Sequence, residues 1–496
     1  MKCDEFFGFY NARAEALCFE NITLGTGYAD FLPHEVSLKS PLSRRVQLNF
    51  PVASAAMDTV TEARLAIALA RAGGIGFIHR NLSPEKQAEE VQRVKYAIIN
   101  SLIENPVTVF SNQTVGEVLR LRNEKRYSFT SFLVIDPETH ALVGVFTGQD
   151  LDFCDSYSNT MAAVMTPKPL TESAGISITR AYQLMKERRV KLLPLVDGEG
   201  LVAGLYTRRD VKRALYPALY PDNIGPDGRL RVGAAIGVIA NPDTEERIER
   251  LAEAHVDVVV VDTGHGDSEA VIQTVAWVKR RFPLVDIIAG NISEADSAER
   301  LIDAGADGIK VGEGPGSSCT TGLVTGTGVP LATAVYQCVE VARQHGVPVG
   351  ADGGFRWSGD MVKALATGAD YVVLGNLLAG TSEAPGEAME RDGRWSKEYR
   401  GMGSEAAMRE REGSRNRYDQ AEVLEEDSEE EIIPEGVEGR VPYTGPLRKV
   451  AARIRGGMRK GFLKVGALDV IALREKAKFY YVPGGNSQAH PTISDR

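Results

Sequence analysis

The sequence predicts an α/β protein: a parallel (β/α)8 barrel, the TIM fold, interrupted once by a smaller inserted unit. Three observations lead there. Short apolar runs rich in Val, Ile, Ala and Gly alternate with stretches of helical length, the alternation of a parallel sheet. Two such runs precede residue 97 and six follow residue 222, the eight that a closed barrel needs. Between them, one pattern occurs twice about 60 residues apart. The expected division is 1–96 for the first part of the barrel, 97–222 for the inserted pair and 223–496 for the rest.

The run Phe50–Met57 is the first strand, and Asp58–Glu62 offers capping residues for a helix over Ala63–Ala72. Gly73–His79 is the second strand. Ser83 as N-cap, with Pro84 at the first helical position, then opens the next helix. Inside the insertion the first copy passes through a helix at Thr114–Leu119, a strand at Ser131–Asp136 and the run Leu142–Asp150. The second passes through Ile178–Met185, Leu192–Asp197 and Leu201–Asp210. Each copy ends in strand, Thr-x-x-Asp, helix, at Thr147–Asp150 and Thr207–Asp210. A hydroxyl and a carboxylate at a helix start suit ribose and phosphate contacts, or plain N-capping; the residues alone leave both open.

From Arg229 the first pattern resumes. Strands are expected at Val232–Val238, Val256–Val261, Asp286–Ala289, Gly308–Val311, Val347–Gly350 and Tyr371–Leu374, with helices such as Asp243–Ala254, Ala295–Ala304 and Met361–Ala366 between them. In a barrel of this kind the site lies at the C-terminal ends of the strands. Those ends carry Ser54, His79, Asp262, Asn291, Asp352, Gly375 and Asn376, and the loop Gly312-Glu-Gly-Pro-Gly-Ser-Ser-Cys-Thr-Thr321. Glycines at alternate positions let the backbone approach a ligand closely. Exposed amides in such a loop form an anion-binding nest. Ser317 adds a hydroxyl suited to phosphate, and Cys319 a thiol. A buried structural thiol in a Gly-rich turn is the bland alternative. A phosphate grip two residues from a nucleophile favours covalent chemistry on a nucleotide or sugar phosphate.

Composition narrows the classes. Apolar residues at 43% and charged residues at 25% suit a soluble globular enzyme. A net charge of −10 with no basic stripe argues against a nucleic-acid surface. The five cysteines (Cys3, Cys18, Cys154, Cys319, Cys338) form no C-x-x-C pair, so neither a disulfide framework nor a zinc site is indicated. The opening residues do not read as a signal peptide, and no apolar run approaches membrane-spanning length. A reducing cytoplasm is the expected compartment. Past the barrel pattern come Tyr399–Ser404, Gly413–Gln420, an acidic run at Glu425–Glu431 and Pro434-Glu-Gly436. A long charged segment at a barrel mouth suits an element that opens and closes, here about residues 399–440.

These motifs together resemble the IMP dehydrogenase / GMP reductase family, over essentially the whole chain. The resemblance rests on Gly312–Thr321, Ser54–Glu62, Asp352–Gly354, Tyr399–Gly403, Arg417–Tyr418 and Pro434–Gly436. The inserted repeat resembles a tandem pair of CBS modules, which implies adenine or guanine nucleotides as effectors. What the family resemblance implies is NAD-dependent oxidation of IMP through a covalent cysteine adduct. Cys319 would be the nucleophile, Thr321 its neighbour in activating water, and Arg417 with Tyr418 the hydrolytic pair on a mobile flap. Ser54, Met57, Ser317, Asp352, Gly353, Gly354, Gly375, Asn376, Tyr399, Arg400, Gly401, Met402, Gly403 and Glu435 would bind the nucleotide. Asp262, Thr263, Asn291, Gly312, Glu313 and Gly314 would take NAD. A potassium ion would sit on carbonyls of Gly314, Gly316 and Cys319, joined by Gln488, Ala489 and His490 of a neighbouring subunit. The family is tetrameric, which implies a homotetramer, with stacking into octamers left open.

Departures from the family pattern are Gly322 where Arg commonly follows the two threonines, Leu331 where Gln follows Pro, and Asn376 for Ser. Gln488-Ala489-His490 replaces Glu-Ser-His. Glu405 aligns with a catalytic Glu of GMP reductase, the rival activity, in which GMP is deaminated with NADPH. A non-catalytic nucleotide sensor is the remote alternative.

Overall fold

The structure, a computed structural model, describes residues 1–97, 102–103, 105–124, 129–216, 221–410, 412–418, 420 and 431–483. The chain divides into two compact units, Met1–Ala97 with Pro221–Arg496, and Ile98–Tyr220. Among the described residues no helix is long and apolar enough to cross a membrane.

The larger unit is built on eight strands: β1 Val52–Ser54, β2 Ile75–Ile78, β3 Gly233–Ile236, β4 Val258–Asp262, β5 Asp286–Ile292, β6 Gly308–Val311, β7 Val349–Asp352 and β8 Tyr371–Leu374. They close into a barrel in which every neighbouring pair is parallel; β3 pairs with β2 and β8 with β1. Chain order explains this closure, since the insertion interrupts only the crossover from β2 to β3. Inside, large and small residues alternate. A Cβ on Gly233 would overlap the Phe77 ring, and one on Gly350 the Tyr371 ring, so glycines make room for the two aromatic residues. Those two pack with Ala53, Val258, Val260, Ile288 and Val373, and Leu42, Val46 and Leu48 extend the same cluster.

Around the barrel lie α1 Ala63–Arg71, α2 Pro84–Lys95, α3 Thr244–Glu253, α4 Glu269–Arg281, α5 Ala295–Asp303, α6 Leu331–Gln344, α7 Ser358–Thr367 and α8 Leu447–Val465. Helix α8 packs on α7 and on α1, completing the outer ring. The cap of α2 is as the sequence suggests, with Ser83 Oγ accepting from the Lys86 amide at 3.3 Å. That of α1 differs. Its Ala63 amide donates to Glu90 Oε2 of α2 at 2.7 Å, and Asp58 pairs with Arg400 instead. A carboxylate from the adjacent helix reaches the open amide, so the preceding loop is released for other contacts.

Between β8 and α8 the chain forms a three-stranded antiparallel sheet from Met389–Arg391, Arg394–Arg400 and Glu438–Pro442. Two short helices, Glu405–Glu410 and Glu412–Arg417, follow its middle strand. All of the acidic run except Glu431 lies outside the described residues.

The smaller unit holds two four-stranded sheets. One orders Thr166–Pro167, Leu142–Phe146, Phe132–Ile135 and Thr108–Phe110; the other Glu172–Ser173, Leu192–Val196, Val202–Thr207 and Leu102–Ile103. The edge strand Leu102–Ile103 precedes the first copy in sequence yet pairs with the second copy's Leu205 and Tyr206. Leu133, Val145 and Leu205 join the two copies in one apolar cluster. Both Thr-x-x-Asp pairs close on themselves. Thr147 Oγ1 donates to Asp150 Oδ2 at 2.7 Å and Thr207 Oγ1 to Asp210 Oδ2 at 2.6 Å. The Thr147 amide donates to Asp150 Oδ2 at 2.7 Å and the Asp210 amide to Thr207 Oγ1 at 3.2 Å, so each pair also caps its helix start.

Candidate active site

Strand β6 delivers the critical loop. Gly312 at its end has φ +138°, and a Cβ there would overlap the Asp352 carbonyl, so glycine is required where β6 and β7 converge. Beyond it, the Cys319 amide donates to Gly316 O at 3.0 Å, which turns the thiol back over the loop. Cys319 Sγ stands 3.2 Å from Thr321 Oγ1. The loop is pinned by the Pro-Glu-Gly segment. The Thr320 amide donates to Glu435 O at 2.9 Å and the Val437 amide to Ser318 O at 2.9 Å. That segment is held in turn by the Gly-rich turn, with the Glu435 amide donating to Gly403 O and the Gly401 amide to Val437 O. A Cβ on Gly401 would come within 2.6 Å of Ser318 O, so this stack of three chain segments closes only around glycine.

A cavity of 790 Å³ opens beside the thiol, toward the upper end of the range for small-molecule sites. Its walls gather most of the residues the sequence singled out. Met57, Ser317, Cys319, Asp352, Gly353, Gly354, Gly375, Asn376, Tyr399, Gly401, Met402, Arg417 and Tyr418 line it, as do Asp262, Asn291, Gly312, Glu313, Gly314 and Gly316. Gly353 and Gly354 both have positive φ, and a Cβ on Gly353 would crowd the Gly316 amide at 3.1 Å. The backbone here is bare on both sides, which suits a phosphate group.

Other expected residues stand outside the lining. Ser54 Oγ is buried and accepts from Thr61 Oγ1 at 2.8 Å. Thr263 Oγ1 donates to His265 O in its own loop and to Gly290 O on β5. Thr321, Gly403 and Glu435 lie immediately behind the wall, through the contacts just described. The Arg400 guanidinium is held by Asp58 and Glu410, each at 2.8 Å. Gln488, Ala489 and His490 lie outside the described residues.

Sequence reasoning missed a buried lysine. Lys310, 3% exposed, donates to Asp352 Oδ2 at 2.6 Å, to Asp262 Oδ1 at 2.9 Å and to the Asn291 side-chain oxygen. Asn291 Nδ2 donates onward to Gly312 O at 2.7 Å and Asp352 Oδ2 at 3.0 Å. One ammonium thus ties the candidate substrate carboxylate to the candidate cofactor carboxylate. The signal was a charged residue inside the apolar run Gly308–Val311, where a lysine is buried only with partners. Glu313, also at this wall, accepts from Ser293 Oγ at 2.5 Å and contacts His265 Nδ1 at 2.8 Å.

The segment carrying Arg417 and Tyr418 lies on the Asp262 side of the cavity. The Arg417 guanidinium pairs with Asp262 Oδ2, and the Gly264 amide donates to Arg417 O at 2.9 Å. Tyr418 packs on Gly264 and Gly403, whose missing side chains make the space. Burial raises the Tyr418 phenol above its ordinary range, so it remains a hydrogen-bond donor. Burial also works against the Asp58 carboxylate, but the hydrogen bonds from Arg400 and Asn81 outweigh it and hold that acid below the usual range. Among the other thiols, burial pushes Cys3 up to about 12 and raises Cys18 and Cys338. Glu405, the residue aligned with the reductase, is exposed and paired with Arg409 at 2.9 Å.

Comparison with known proteins places this geometry. The family profile described as "IMP dehydrogenase / GMP reductase domain" matches residues 16–490. The inosine-5'-monophosphate dehydrogenase of Aquifex aeolicus (strain VF5) is 48% identical over 481 residues, 96% of this chain and 95% of that protein. The enzyme of the same name from Bacillus subtilis (strain 168) is 44% identical over 480 residues, 96% of this chain and 95% of that one. A crystal structure of GMP reductase from Trypanosoma brucei, 36% identical, superposes with a TM-score of 0.75 over 96% of this chain and 99% of that one. A second structure of that reductase, in complex with guanosine 5'-monophosphate, gives 0.68 at 38% identity over 96% and 98%. By sequence and by fold, the chain belongs to the IMP dehydrogenase / GMP reductase family.

Proposed function

We infer that the protein oxidises inosine 5'-monophosphate to xanthosine 5'-monophosphate in guanine nucleotide synthesis, with NAD taking the hydride. Relatives bearing the dehydrogenase name support this over nearly the full length of the chain. The observation that carries it is the pairing of two devices at one cavity: the Cys319 thiol 3.2 Å from the Thr321 hydroxyl, and Arg417–Tyr418 docked opposite on Asp262 and Gly264. A covalent step needs the first, and hydrolysis of its product the second. A reductase has no hydrolytic step, and its aligned acid Glu405 is here on the surface.

In the first half-reaction Cys319 Sγ bonds to C2 of the base, its proton leaves, and a hydride departs from C2. NAD supplies the acceptor. The residues that fit it are Asp262, an acceptor for ribose hydroxyls, with Asn291 and the bare backbone of Gly312–Gly314. Phosphate and ribose of the substrate would rest on Ser317, Asp352, Gly353, Gly354, Gly375 and Asn376, with Tyr399, Gly401 and Met402 near the base. In the second half-reaction water, oriented by Tyr418 and Thr321, attacks C2, its proton passes to Arg417 as the base, and the sulfur–carbon bond breaks to return Cys319 as a thiolate. Arg417 occupies the carboxylate that the dinucleotide would use, so the two halves alternate at one place.

Potassium is proposed on the carbonyls of Gly314, Gly316 and Cys319. Such oxygens suit a hard monovalent ion, and a Cβ built on Gly314 finds its nearest neighbour only at 3.8 Å, so the loop is uncrowded there. A bound ion would brace the loop carrying the thiol. A homotetramer and nucleotide effectors on the inserted pair remain proposals from the resemblance; mass measurement in solution and ligand-dependent thermal stabilisation test them. For the activity itself, NADH absorbance should grow with IMP and NAD. Loss of absorbance with GMP and NADPH would instead identify a reductase.

A further inference from the structure

The helix carrying Arg417 is only six residues long, Glu412–Arg417. Helices this short are not stable by themselves in water, so contacts elsewhere must fix this one. One such contact is polar and lies away from the chemistry. Ser414, one helical turn before Arg417, is fully buried. Its hydroxyl accepts from Asn81 Nδ2 at 2.9 Å and donates to Asn81 Oδ1 at 3.3 Å. Asn81, in the loop after β2, also donates to Asp58 Oδ2 at 3.0 Å. Asp58 accepts from Arg400, which reaches back to Glu410 on the preceding flap helix. The chain of contacts therefore begins and ends on the flap and passes through the barrel. None of its members lines the cavity.

We propose that the Ser414–Asn81 pair is a latch that positions Arg417, and so sets the balance between the state that hydrolyses the adduct and the state that admits the dinucleotide. This rests on the function proposed above. Arg417 occupies the Asp262 carboxylate only when the flap is seated. Weakening the latch then acts in opposite directions on two quantities. Hydrolysis slows, because Arg417 is seated less often. The dinucleotide binds more tightly, because it no longer has to displace a fastened flap. Plain loss of folded protein would lower the rate and leave the affinity unchanged. Arg400, expected to touch substrate, acts in this arrangement as a positioning residue.

The test is Ser414→Ala, Asn81→Ala and the double variant. Each single change should lower steady-state turnover roughly five- to tenfold, the scale of one lost hydrogen-bonded pair. It should lower the KM for NAD by a similar factor, produce a burst of NADH in the first turnover, and hasten tryptic cleavage after Arg415 and Arg417 in the free enzyme. The double variant should be no worse than Asn81→Ala alone, since that change already removes the Ser414–Asn81 pair, together with the Asn81–Asp58 bond. A fall in kcat with unchanged KM for NAD, or additive losses, would overturn the latch. If the parent protein forms no NADH with IMP, the activity is refuted, and the latch is then decided by proteolysis alone. Equal cleavage rates in parent and variants reject it. Should Ser414→Ala not fold, Asn81→Ala breaks the pair from the barrel side and must give the same pattern.

Discussion

The guanidinium of Arg417 pairs with the carboxylate of Asp262, 155 positions earlier in the chain. A proposed hydrolytic residue and a proposed cofactor anchor thus satisfy each other. Two outcomes follow from this one contact. Raising NAD beyond saturation should depress the steady-state rate, because the dinucleotide holds the flap away from the adduct. Arg417→Ala should lower turnover by about 10²–10⁴-fold, the usual worth of a positioned acid–base group, while first-turnover NADH formation stays within about threefold. Rapid-mixing absorbance separates the two phases, and an unchanged steady state would remove Arg417 from the mechanism.

Cys319→Ala should abolish turnover and leave the protein folded. The side chain is only half-buried, and its thiol lies within hydrogen-bond distance of the Thr321 hydroxyl. Its removal should move the melting temperature little, as substitutions outside the core usually do. IMP binding by calorimetry should persist. Mass analysis of the parent under turnover should find a nucleotide on the peptide bearing this sulfur.

Gly403→Ala tests the seat of Tyr418. A Cβ at residue 403 would lie 2.7 Å from the Tyr418 ring, closer than real carbon contacts allow. The ring must shift, and hydrolysis should slow by roughly tenfold, about 1.4 kcal/mol on the barrier. Hydride transfer in the first turnover should be spared. Equal effects on both phases would mean that the substitution disturbs the loop at Cys319 rather than the flap.

Lys310→Met removes the cation shared by Asp262 and Asp352. Breaking a buried ion pair from one side costs about 3–5 kcal/mol. Chemical denaturation should report a loss of that order, well beyond the effect of Cys319→Ala. A change below about 1 kcal/mol would show that the two carboxylates are adequately served by Asn291 and Arg417.

Asp267 offers a pH test of the loop that follows β4. Hydrogen bonds from Arg300 and Ser297 hold its acid at about 2. Because the folded value is depressed, its stabilisation is complete above the unfolded value near 4 and is lost as pH falls toward 2. Arg300 is half exposed, which reduces the contribution to about 1 kcal/mol. Asp267→Asn should therefore be less stable than the parent at pH 7 by that amount, and the gap should shrink between pH 4 and pH 2. A gap independent of pH would assign the loss to packing.

Much of the fold was legible because each barrel strand is a short apolar run between turn residues, and parallel strands buried on both faces need no partner to be recognised. The repeat was legible for the same reason. The glycine loop was legible because its restrictions are local: φ +138° at Gly312 is a property of that residue and its neighbours. Contacts between distant segments were not. Glu90 capping α1, and Leu102–Ile103 pairing with the second copy rather than the first, depend on which surfaces meet.

The site divides the same way. Cys319 and Asp352 could be named from a Gly-rich loop and a strand end, each written in a few consecutive residues, whereas Thr321, Gly353 and Gly354 were named from the family resemblance. Arg400 was named for the nucleotide and is held by Asp58 and Glu410, since a long cation goes to whichever carboxylates the fold brings near. Lys310 was passed over because its partners come from β4, β5 and β7. By itself, the sequence determined the eight strands, the inserted repeat, the loop with its thiol and the family they belong to. Only the tertiary structure decided that Lys310 joins two carboxylates, that Arg417 lies on Asp262, and that Ser414 is fastened to Asn81. Backbone preference and apolar pattern act over a few residues, whereas the pairing of charges and hydrogen bonds is settled only when separate segments are brought within about 3 Å of each other.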